Sequence, residues 1–295
     1  MKYPIQKQSA EALPRISKST NPGLLFDRFI PALAFAYNKE EETKWKKEGF
    51  NNVIKHRADE DALEHYKARW EKVIAQANAA SFKMKTDWRF IAGLGRKGAL
   101  EVGFTFHRYG FPMLPGSSVK GIARAWAFYE IAESLSLEGK KLSELDDALS
   151  EGDEKKYIEN MGKIPQADKA QELIENFRKV FGTTGEAGSA VFFDAIPQKP
   201  PTLELDIMNP HYPDYYKTGS KDYPTNWQSP IPVFFLTVAA NQEFSFAVGW
   251  RGKLNEDLRG KAEGWLKDGL TELGAGAKTS AGYGYWNEVK SEKGK

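Results

Sequence analysis

The sequence predicts an α+β fold, because short strand-like apolar runs are interleaved with longer helix-like segments along the whole chain. Alternating or β-branched apolar residues predict strands at 88–94, 100–106, 191–196, 203–208, 233–238, 244–250 and 284–289. Helical patterns cover 24–36 with a break at Pro31, 38–80 with a break at Gly49–Asn52, 117–135, 166–181 and 256–273. A length of 295 residues is enough for one large core or two modest ones.

Composition suggests a boundary near residue 82. Residues 1–82 combine an N-terminal arm, which contains several prolines, with a highly charged helical region. Residues 83–295 carry most of the predicted strands and should form the main core. Within it, the polar and acidic stretch near 136–165 and the Pro-, Tyr- and Asp-rich stretch near 201–230 are predicted insertions. We expect both parts to form one compact unit.

A glycine-rich segment near the C-terminus, Gly274–Gly284, is typical of a loop that holds a polyanion. It does not match a nucleotide-hydrolysing P-loop, since Ala277 and Glu272 occupy the positions of the two required glycines. A simple glycine C-cap is the alternative interpretation, although a cap alone does not account for the lysine and hydroxyls that follow. The candidate RNA contacts in this segment are Gly276, Lys278, Thr279, Ser280, Gly282 and Tyr283. Tyr283 is expected either to stack on a base or to pack on the sheet.

A second segment with a glycine turn precedes the helix predicted at 117–135. Pro115 and Gly116 predict a turn, and Ser117 or Ser118 is expected to cap the helix. A helix N-terminus favours phosphate binding. Lys120 and Arg124 lie four residues apart and therefore share one helix face. The candidate RNA contacts in this segment are Ser117, Ser118, Lys120 and Arg124. The alternative is an ordinary capped helix with a solvated basic face.

Charge is concentrated in one part of the chain. The net charge of the whole protein is only +2, yet residues 83–124 hold eight basic and two acidic side chains, a local charge of +6. A basic surface with interleaved aromatic residues is typical of a nucleic-acid interface. Arg96, Lys97 and Arg108 in this segment are therefore further candidate RNA contacts. A solvated basic face without a ligand is the alternative.

These segments resemble the RAMP proteins of CRISPR systems. Pro115–Arg124 resembles the helix signature of that superfamily, and Gly274–Gly284 resembles its C-terminal glycine-rich loop. Three further stretches are similar to the sixth-subunit family of type III-B Cmr effector complexes. These stretches are Phe90–Gly95 followed by Leu100–His107, Gly188–Pro197, and Asp206–Tyr216. In total, the resemblance covers parts of residues 86–289.

The resemblance implies a ferredoxin-like core of the RNA-recognition-motif type, with helical and hairpin insertions. Its strands would lie at 86–106, 233–250 and 284–289, and its helices at 117–135 and 256–273. It also implies a non-catalytic subunit that binds guide RNA near the 3′ end and caps the backbone filament in antiviral defence. The implied partners are guide RNA, target RNA, the repeating backbone subunit and a neighbouring RAMP subunit. Base pairing would read the sequence, while the protein holds backbone and shape.

An endoribonuclease that cleaves guide precursor or target RNA is the alternative function. His107 is the best general acid–base candidate, and Asp27 is a weak candidate for metal-assisted cleavage. A hydrogen-bonded structural histidine and an N-cap or ion-pairing aspartate are the competing interpretations. Asp194 and Asp206 would form a carboxylate pair if their strands adjoin. No dense cluster with metal-ligand spacing occurs, so no metal or other cofactor is predicted.

The remaining composition limits the classes of function. The chain has no cysteine, which excludes disulfides, thiolate zinc sites and thiol nucleophiles and fits a reducing cytoplasm. It contains no run of 18 apolar residues and no secretory signal pattern, so we expect no membrane association.

Overall fold

The computed structural model describes residues 21–30, 39–96, 100, 102–212, 215, 223, 225, 230 and 232–289. The chain divides into two compact units. The first unit comprises Met1–Leu63, Ile91–Pro112 and Lys199–Ala239, and the second comprises Glu64–Phe90, Met113–Gln198 and Ala240–Lys295. The boundary predicted at residue 82 falls inside the second unit.

Helices occur together with antiparallel sheets among the described residues, which confirms the α+β class. The helices are α1 (Pro22–Arg28), α2 (Lys39–Lys55), α3 (Glu60–Gln76), α4 (Gly116–Ser134), α5 (Lys140–Ser150), α6 (Glu154–Met161), α7 (Gln171–Phe181) and α8 (Glu256–Glu272), with 3₁₀ turns at Ala167–Ala170 and Thr279–Ala281. The strands are β1 (Ala80–Thr86), β2 (Ala190–Phe192), β3 (Ile196–Pro197), β4 (Leu203–Met208), β5 (Val233–Val238), β6 (Glu243–Trp250) and β7 (Trp286–Glu288). None of the described helices is both long enough and apolar enough to cross a membrane.

In the first unit, β4 and β5 form a two-stranded antiparallel sheet whose register runs from Leu203 opposite Val238 to Met208 opposite Val233. Helix α2 contacts both strands. It continues through Gly49–Asn52 and ends at Lys55, so the predicted break there is wrong. Phe50 and Val53 are buried on this helix, and burial of that face outweighs the low helix propensity of glycine and asparagine.

The second unit is built on an antiparallel sheet with the strand order β2–β6–β1–β7, and β3 pairs with β6 beyond the end of β2. In chain order, the strands of this sheet and the two helices that connect them are β1, α4, β2 with β3, β6, α8 and β7. The two helices pack against each other, and α8 also contacts β6 and β7.

The core of this unit is largely aromatic. Phe244 and Phe246 on β6 make edge-to-face contacts with Trp286 on β7, with ring centroids 5.3 Å apart in each pair. Phe90 lies 5.1 Å from the same tryptophan. These rings are buried, and aromatic burial of this kind contributes strongly to packing. The core therefore fixes β7, which follows the glycine-rich segment.

Two of the predicted strands are wrong. Residues 88–94 and 100–106 form no regular strand where the structure describes them, although Gly103 N–H donates to Leu94 O and Thr105 N–H to Ala92 O, both at 2.8 Å. The first strand of the second unit is β1 instead, paired with β6 and β7. The strands predicted at 203–208 and 233–238 are confirmed with their predicted ends, and the strand predicted at 191–196 is split into β2 and β3. The other predicted strands and helices are present with shifted ends, except that residues 31–36, with the break predicted at Pro31, lie outside the described residues. The stretch predicted as an insertion at 136–165 contains α5 and α6.

Candidate nucleic-acid interface

The glycine-rich segment is a closed loop between α8 and β7 in the second unit. Gly274 N–H donates to Gly269 O at 3.0 Å and ends the helix, as a glycine C-cap does. The two ends of the loop are joined where Ala275 N–H donates to Gly284 O at 2.7 Å. Gly284 N–H in turn donates to Arg89 O at 2.8 Å, which fixes the loop to the residues that follow β1.

Gly284 is required by two features of this closure. Its φ is +77°, a left-handed conformation that side chains with a Cβ rarely adopt. A Cβ at this position would lie closer than 3.0 Å to the carbonyl oxygen of Ala275. Any larger residue must therefore open the contact that joins the two ends of the loop.

The middle of the loop presents backbone N–H groups. Lys278 adopts a left-handed conformation with φ 60° and ψ 34°, directly before the 3₁₀ turn Thr279–Ala281. Within the described part of the chain, the N–H groups of Gly276, Ala277, Thr279 and Ser280 have no hydrogen-bond partner. Successive N–H groups in such a turn form a concavity that binds anions. Polyanion binding at this loop remains a prediction.

The aromatic residue exposed beside this loop is Trp88 and not the tyrosine of the motif. Tyr283 is only 8% exposed, and its ring packs 4.7 Å from that of Trp88, which is 42% exposed. The Arg89 guanidinium lies 5.4 Å from the Trp88 ring centroid. Of the two alternatives for Tyr283, packing inside the protein is therefore the one observed. Sequence reasoning missed Trp88, although a tryptophan next to an arginine in the most basic part of the chain was a usable signal.

Strand β1 adds basic side chains near this end of the sheet. Met84 and Thr86 on β1 are buried, whereas Lys83 is exposed and Lys85 half-buried, because alternate residues of a strand point to opposite faces. Lys85 pairs with Asn287 of β7. Both lysines were counted in the basic segment but not predicted as contacts.

The second predicted segment begins helix α4, but the serines do not cap it. Pro115 occupies the N-cap position with no side-chain cap, and Ser117 and Ser118 lie inside the first turn with exposed side chains, so the predicted serine cap is wrong. The Asp194 carboxylate instead accepts the Gly116 N–H at 2.6 Å. A carboxylate thus already occupies part of the helix N-terminus where a phosphate was expected.

Lys120 and Arg124 make contacts within the protein. Lys120 Nζ donates to Phe181 O at 2.8 Å, and burial, with smaller contributions from the nearby Arg124 and Arg251 charges, lowers the pKa of Lys120 below its usual value. Arg124 donates to Asp146 Oδ1 at 2.7 Å and lies over a phenylalanine ring of α7. An RNA-binding role for these two cations remains a prediction, and their contacts also fit a role in positioning α5 and α7 around α4.

Comparison with known proteins identifies the family. The model of the RAMP superfamily matches residues 81–287, which include β1, α4, α8 and the glycine-rich loop. The chain belongs to the RAMP superfamily. It is 37% identical over 277 residues to the CRISPR system Cmr subunit Cmr6 of Pyrococcus furiosus, covering 84% of this chain and 79% of that protein. The resemblance inferred from the motifs is thus confirmed.

Two solved structures are similar to this RAMP protein. The crystal structure of Cmr6 from Pyrococcus furiosus shares 38% identity, with a TM-score of 0.49 over 72% of this chain and 97% of that chain. A chain in the cryo-electron microscopy structure of the type III-B Cmr-β complex bound to cognate target RNA shares 20% identity. That match has a TM-score of 0.52 and covers 95% of this chain and 86% of the other. At this level of identity the second likeness concerns the fold alone.

The remaining predicted contacts of this RAMP chain belong to the first unit. Arg96 and Arg108 are exposed, and the Arg108 guanidinium lies 5.0 Å from the Tyr109 ring centroid. Lys97 lies outside the described residues. The glycine-rich loop belongs to the second unit, and an RNA-binding role for these residues remains a prediction.

The two weak catalytic candidates have ordinary surroundings. His107 is half-buried, stacks on Phe111 with ring centroids 4.4 Å apart, and its Nδ1 lies 3.3 Å from the Tyr109 N–H. Asp27 is exposed near the end of α1, and Asn21 is the N-cap of that helix, so an N-cap role for Asp27 is wrong. Among the described residues, no group of three or more His, Asp and Glu side chains is placed to hold a metal ion.

The carboxylate pair was predicted on the condition that the strands of Asp194 and Asp206 adjoin, and among the described strands β4 pairs with β5, whereas β2 and β3 pair with β6. Asp194 lies between β2 and β3 in the second unit, where it caps α4, whereas Asp206 is on β4 in the first unit. One oxygen of Asp206 accepts the N–H of the next residue, Ile207, at 2.8 Å. The two side chains therefore act on their own surroundings, as the alternative interpretation of local backbone hydrogen bonding supposed.

Proposed function

We propose that this RAMP protein is a non-catalytic guide-RNA-binding subunit of a type III-B CRISPR effector complex. The observation that carries the proposal is the closed glycine-rich loop, in which four described N–H groups lack a hydrogen-bond partner beside an exposed tryptophan. The loop can accept phosphate oxygens of an RNA backbone without reading bases, which suits a subunit that binds guides of many sequences. We further propose that it binds near the 3′ end of the guide and caps the backbone filament.

We also propose that the second unit is a ferredoxin-like core of the RNA-recognition-motif type. Its strand order β7–β1–β6–β2, all antiparallel, with α4 and α8 as the two connecting helices, supports this assignment. In such sheets the helices cover one face, and the other face is available to single-stranded RNA. Lys83 and Lys85 project from β1 on one face, and their charges can neutralise phosphates.

The proposed partners follow from the same relationship. The relative with 37% identity is a subunit of a CRISPR Cmr system, and we assign this chain to the same kind of assembly. Its partners would be guide RNA, target RNA paired with that guide, the repeating backbone subunit and a neighbouring RAMP subunit. Antiviral defence in the cytoplasm is the corresponding cellular role.

The absence of catalysis is part of the proposal. The contacts of His107 with Phe111 and Tyr109 suit a structural histidine better than a general base, which must reach a substrate proton. The exposed Asp27 would need further carboxylates to hold a catalytic metal ion. We therefore expect bound RNA to stay intact.

Binding of labelled single-stranded RNA across a salt series tests the phosphate contact at the loop. We expect Lys278→Ala to weaken binding to all sequences and to reduce the slope of log affinity against log salt by about 0.7, as the loss of one phosphate contact does for single strands. Lys253→Ala is the control, because Lys253 is a lysine of the second unit that lies outside the loop. Equal salt slopes for the two variants would refute the phosphate site.

The same RNA, incubated with and without Mg²⁺, tests the absence of catalysis. We expect no shorter products under either condition. Products that appear with the purified chain and disappear with His107→Ala or Asp27→Ala would instead establish an endoribonuclease.

A further inference from the structure

We infer that Trp88 is a stacking platform for an unpaired nucleobase of the RNA that the glycine-rich loop holds. This inference rests on the proposed function, because it concerns the same site and names a contact to a base beside the contacts to phosphates. An aromatic ring next to a positively charged groove is the usual arrangement in proteins that bind single-stranded nucleic acid.

The first observation is the accessibility of the indole. Trp88 is 42% exposed, whereas the other aromatic residue at the loop, Tyr283, is 8% exposed. A nucleobase can therefore reach the ring of Trp88 but not that of Tyr283. Tyr283, the aromatic residue of the motif, thus supports the indole, and Trp88 presents its ring to solvent.

The second observation is that the indole is held in place. The Tyr283 ring lies 4.7 Å away at an interplanar angle of 39°, and the Arg89 guanidinium lies 5.4 Å from the indole centroid. The backbone on either side is fixed as well, since Asp87 N–H donates to Tyr285 O at 2.9 Å and Gly284 N–H to Arg89 O at 2.8 Å. A ring that is already ordered loses little conformational entropy when a base stacks on it.

The third observation is the short distance between the ring and the anion-binding loop. A Cβ on Gly282 would lie only 3.9 Å from Cε3 of Trp88, so the loop backbone passes directly beside the indole. The unpartnered N–H groups of Thr279 and Ser280 belong to the 3₁₀ turn that ends at this glycine. A phosphate on these N–H groups and a base on Trp88 can therefore belong to the same nucleotide or to adjacent ones.

The ligand class follows from the chemistry. Every nucleobase has a π face, so an indole platform tolerates any sequence, and it requires a base that is free of a duplex stack. The site would accordingly favour single-stranded RNA over duplex RNA and over a polyanion without bases. This preference distinguishes it from a purely electrostatic patch.

Two probes separate base stacking from phosphate binding. The first probe is a single-stranded RNA, whose binding is compared with that of the same RNA carrying abasic residues. The second probe is inorganic polyphosphate, which offers phosphates without bases. The proteins are the full chain, Trp88→Leu, which keeps an apolar side chain without a ring, and Trp88→Phe, which keeps a ring. Tyr129→Ala is the matched control, because Tyr129 is an aromatic residue of the second unit with similar exposure, 50%, on α4.

We expect Trp88→Leu to weaken binding of the single-stranded RNA about 5- to 150-fold, the range measured for loss of one base–aromatic stack. Trp88→Phe should restore most of this affinity, and Tyr129→Ala should change nothing. Polyphosphate binding should be the same for Trp88→Leu and the unchanged chain, which also shows that the loop remains folded. Abasic residues should weaken binding to the unchanged chain but not to Trp88→Leu.

Contrary outcomes identify which idea fails. If Trp88→Leu binds the single-stranded RNA as tightly as the unchanged chain while Lys278→Ala does not, the stacking platform is refuted and the proposed function stands. If Trp88→Leu loses polyphosphate and RNA binding to the same extent, Trp88 only supports the loop and the inference is refuted. If the unchanged chain binds neither probe, both the inference and the proposed site are refuted.

Discussion

Replacing Gly284 with alanine tests whether the closed loop depends on this glycine. Alanine at φ +77° carries the left-handed penalty of roughly 1–2 kcal/mol. Its Cβ also conflicts with the Ala275 carbonyl oxygen, which forces apart the Ala275–Gly284 and Gly284–Arg89 hydrogen bonds. Each lost bond is worth about 1 kcal/mol, so we expect the free energy of unfolding to fall by about 3–4 kcal/mol.

The matched control is Gly252→Ala. Gly252 has nearly the same φ, +76°, but no heavy atom lies within 4 Å of a Cβ built there, so this variant carries only the conformational penalty. Urea denaturation followed by far-ultraviolet circular dichroism measures both free energies. The Gly284 variant should be less stable than the Gly252 variant by about 2 kcal/mol. A difference below about 0.5 kcal/mol, the usual additivity error, would refute the argument that the close approach to Ala275 closes the loop.

Two further predictions concern stability. Asp194→Ala should lower the free energy of unfolding by about 1–2 kcal/mol, because the Gly116 N–H loses its capping acceptor. Asp194→Asn should lower it less, because the amide oxygen can still accept this hydrogen bond. Equal urea midpoints for the unchanged chain and both variants would contradict the cap. Partial desolvation of the exposed Asp268 carboxylate, followed by the charges of neighbouring glutamates, raises the pKa of this group above its ordinary value of 3.8. The ionised carboxylate therefore destabilises the folded state slightly at neutral pH, and this cost disappears as pH falls through the folded pKa toward 3.8. Asp268→Asn should therefore stabilise the protein slightly at pH 7 and not below pH 3.8, and a gain that is independent of pH in urea titrations would contradict this reasoning.

Much of the fold was predictable because apolar runs end at clear turn residues. The strand predicted at 233–238 matches β5, and the helix predicted at 117–135 differs from α4 by one residue at each end. Strand β1 was missed because Lys83 and Lys85 alternate with its buried residues and make the run look polar. The aromatic residues near 88–94 suggested a strand, but this segment bonds to 103–105 and to the glycine-rich loop instead of entering the sheet.

The candidate site was predictable in composition but not in its details. The glycine spacing around Lys278 was sufficient to predict a loop between a helix and a strand, and anion binding at this loop remains a prediction. Which aromatic ring becomes buried depends on tertiary packing between residues far apart in sequence, so the exchange of roles between Trp88 and Tyr283 was not visible. In the same way, the partner of Lys120 is a carbonyl 61 residues away, and no local pattern indicates such a contact.

The interrupted edge of the sheet in the second unit has a consequence for assembly. β2 and β3 both pair with β6, and Phe193 N–H still donates to Ala247 O of β6 at 3.2 Å, but Ala195 exchanges hydrogen bonds with Leu114 instead. The opposite edge is β7, only three residues long, with an exposed Glu288. Short, broken or charged edges resist the addition of foreign strands and so protect a protein from edge-to-edge aggregation. In the assembly proposed above, neighbouring subunits should therefore attach to this unit through side chains and loops, and chains without their partners should resist aggregation through these edges.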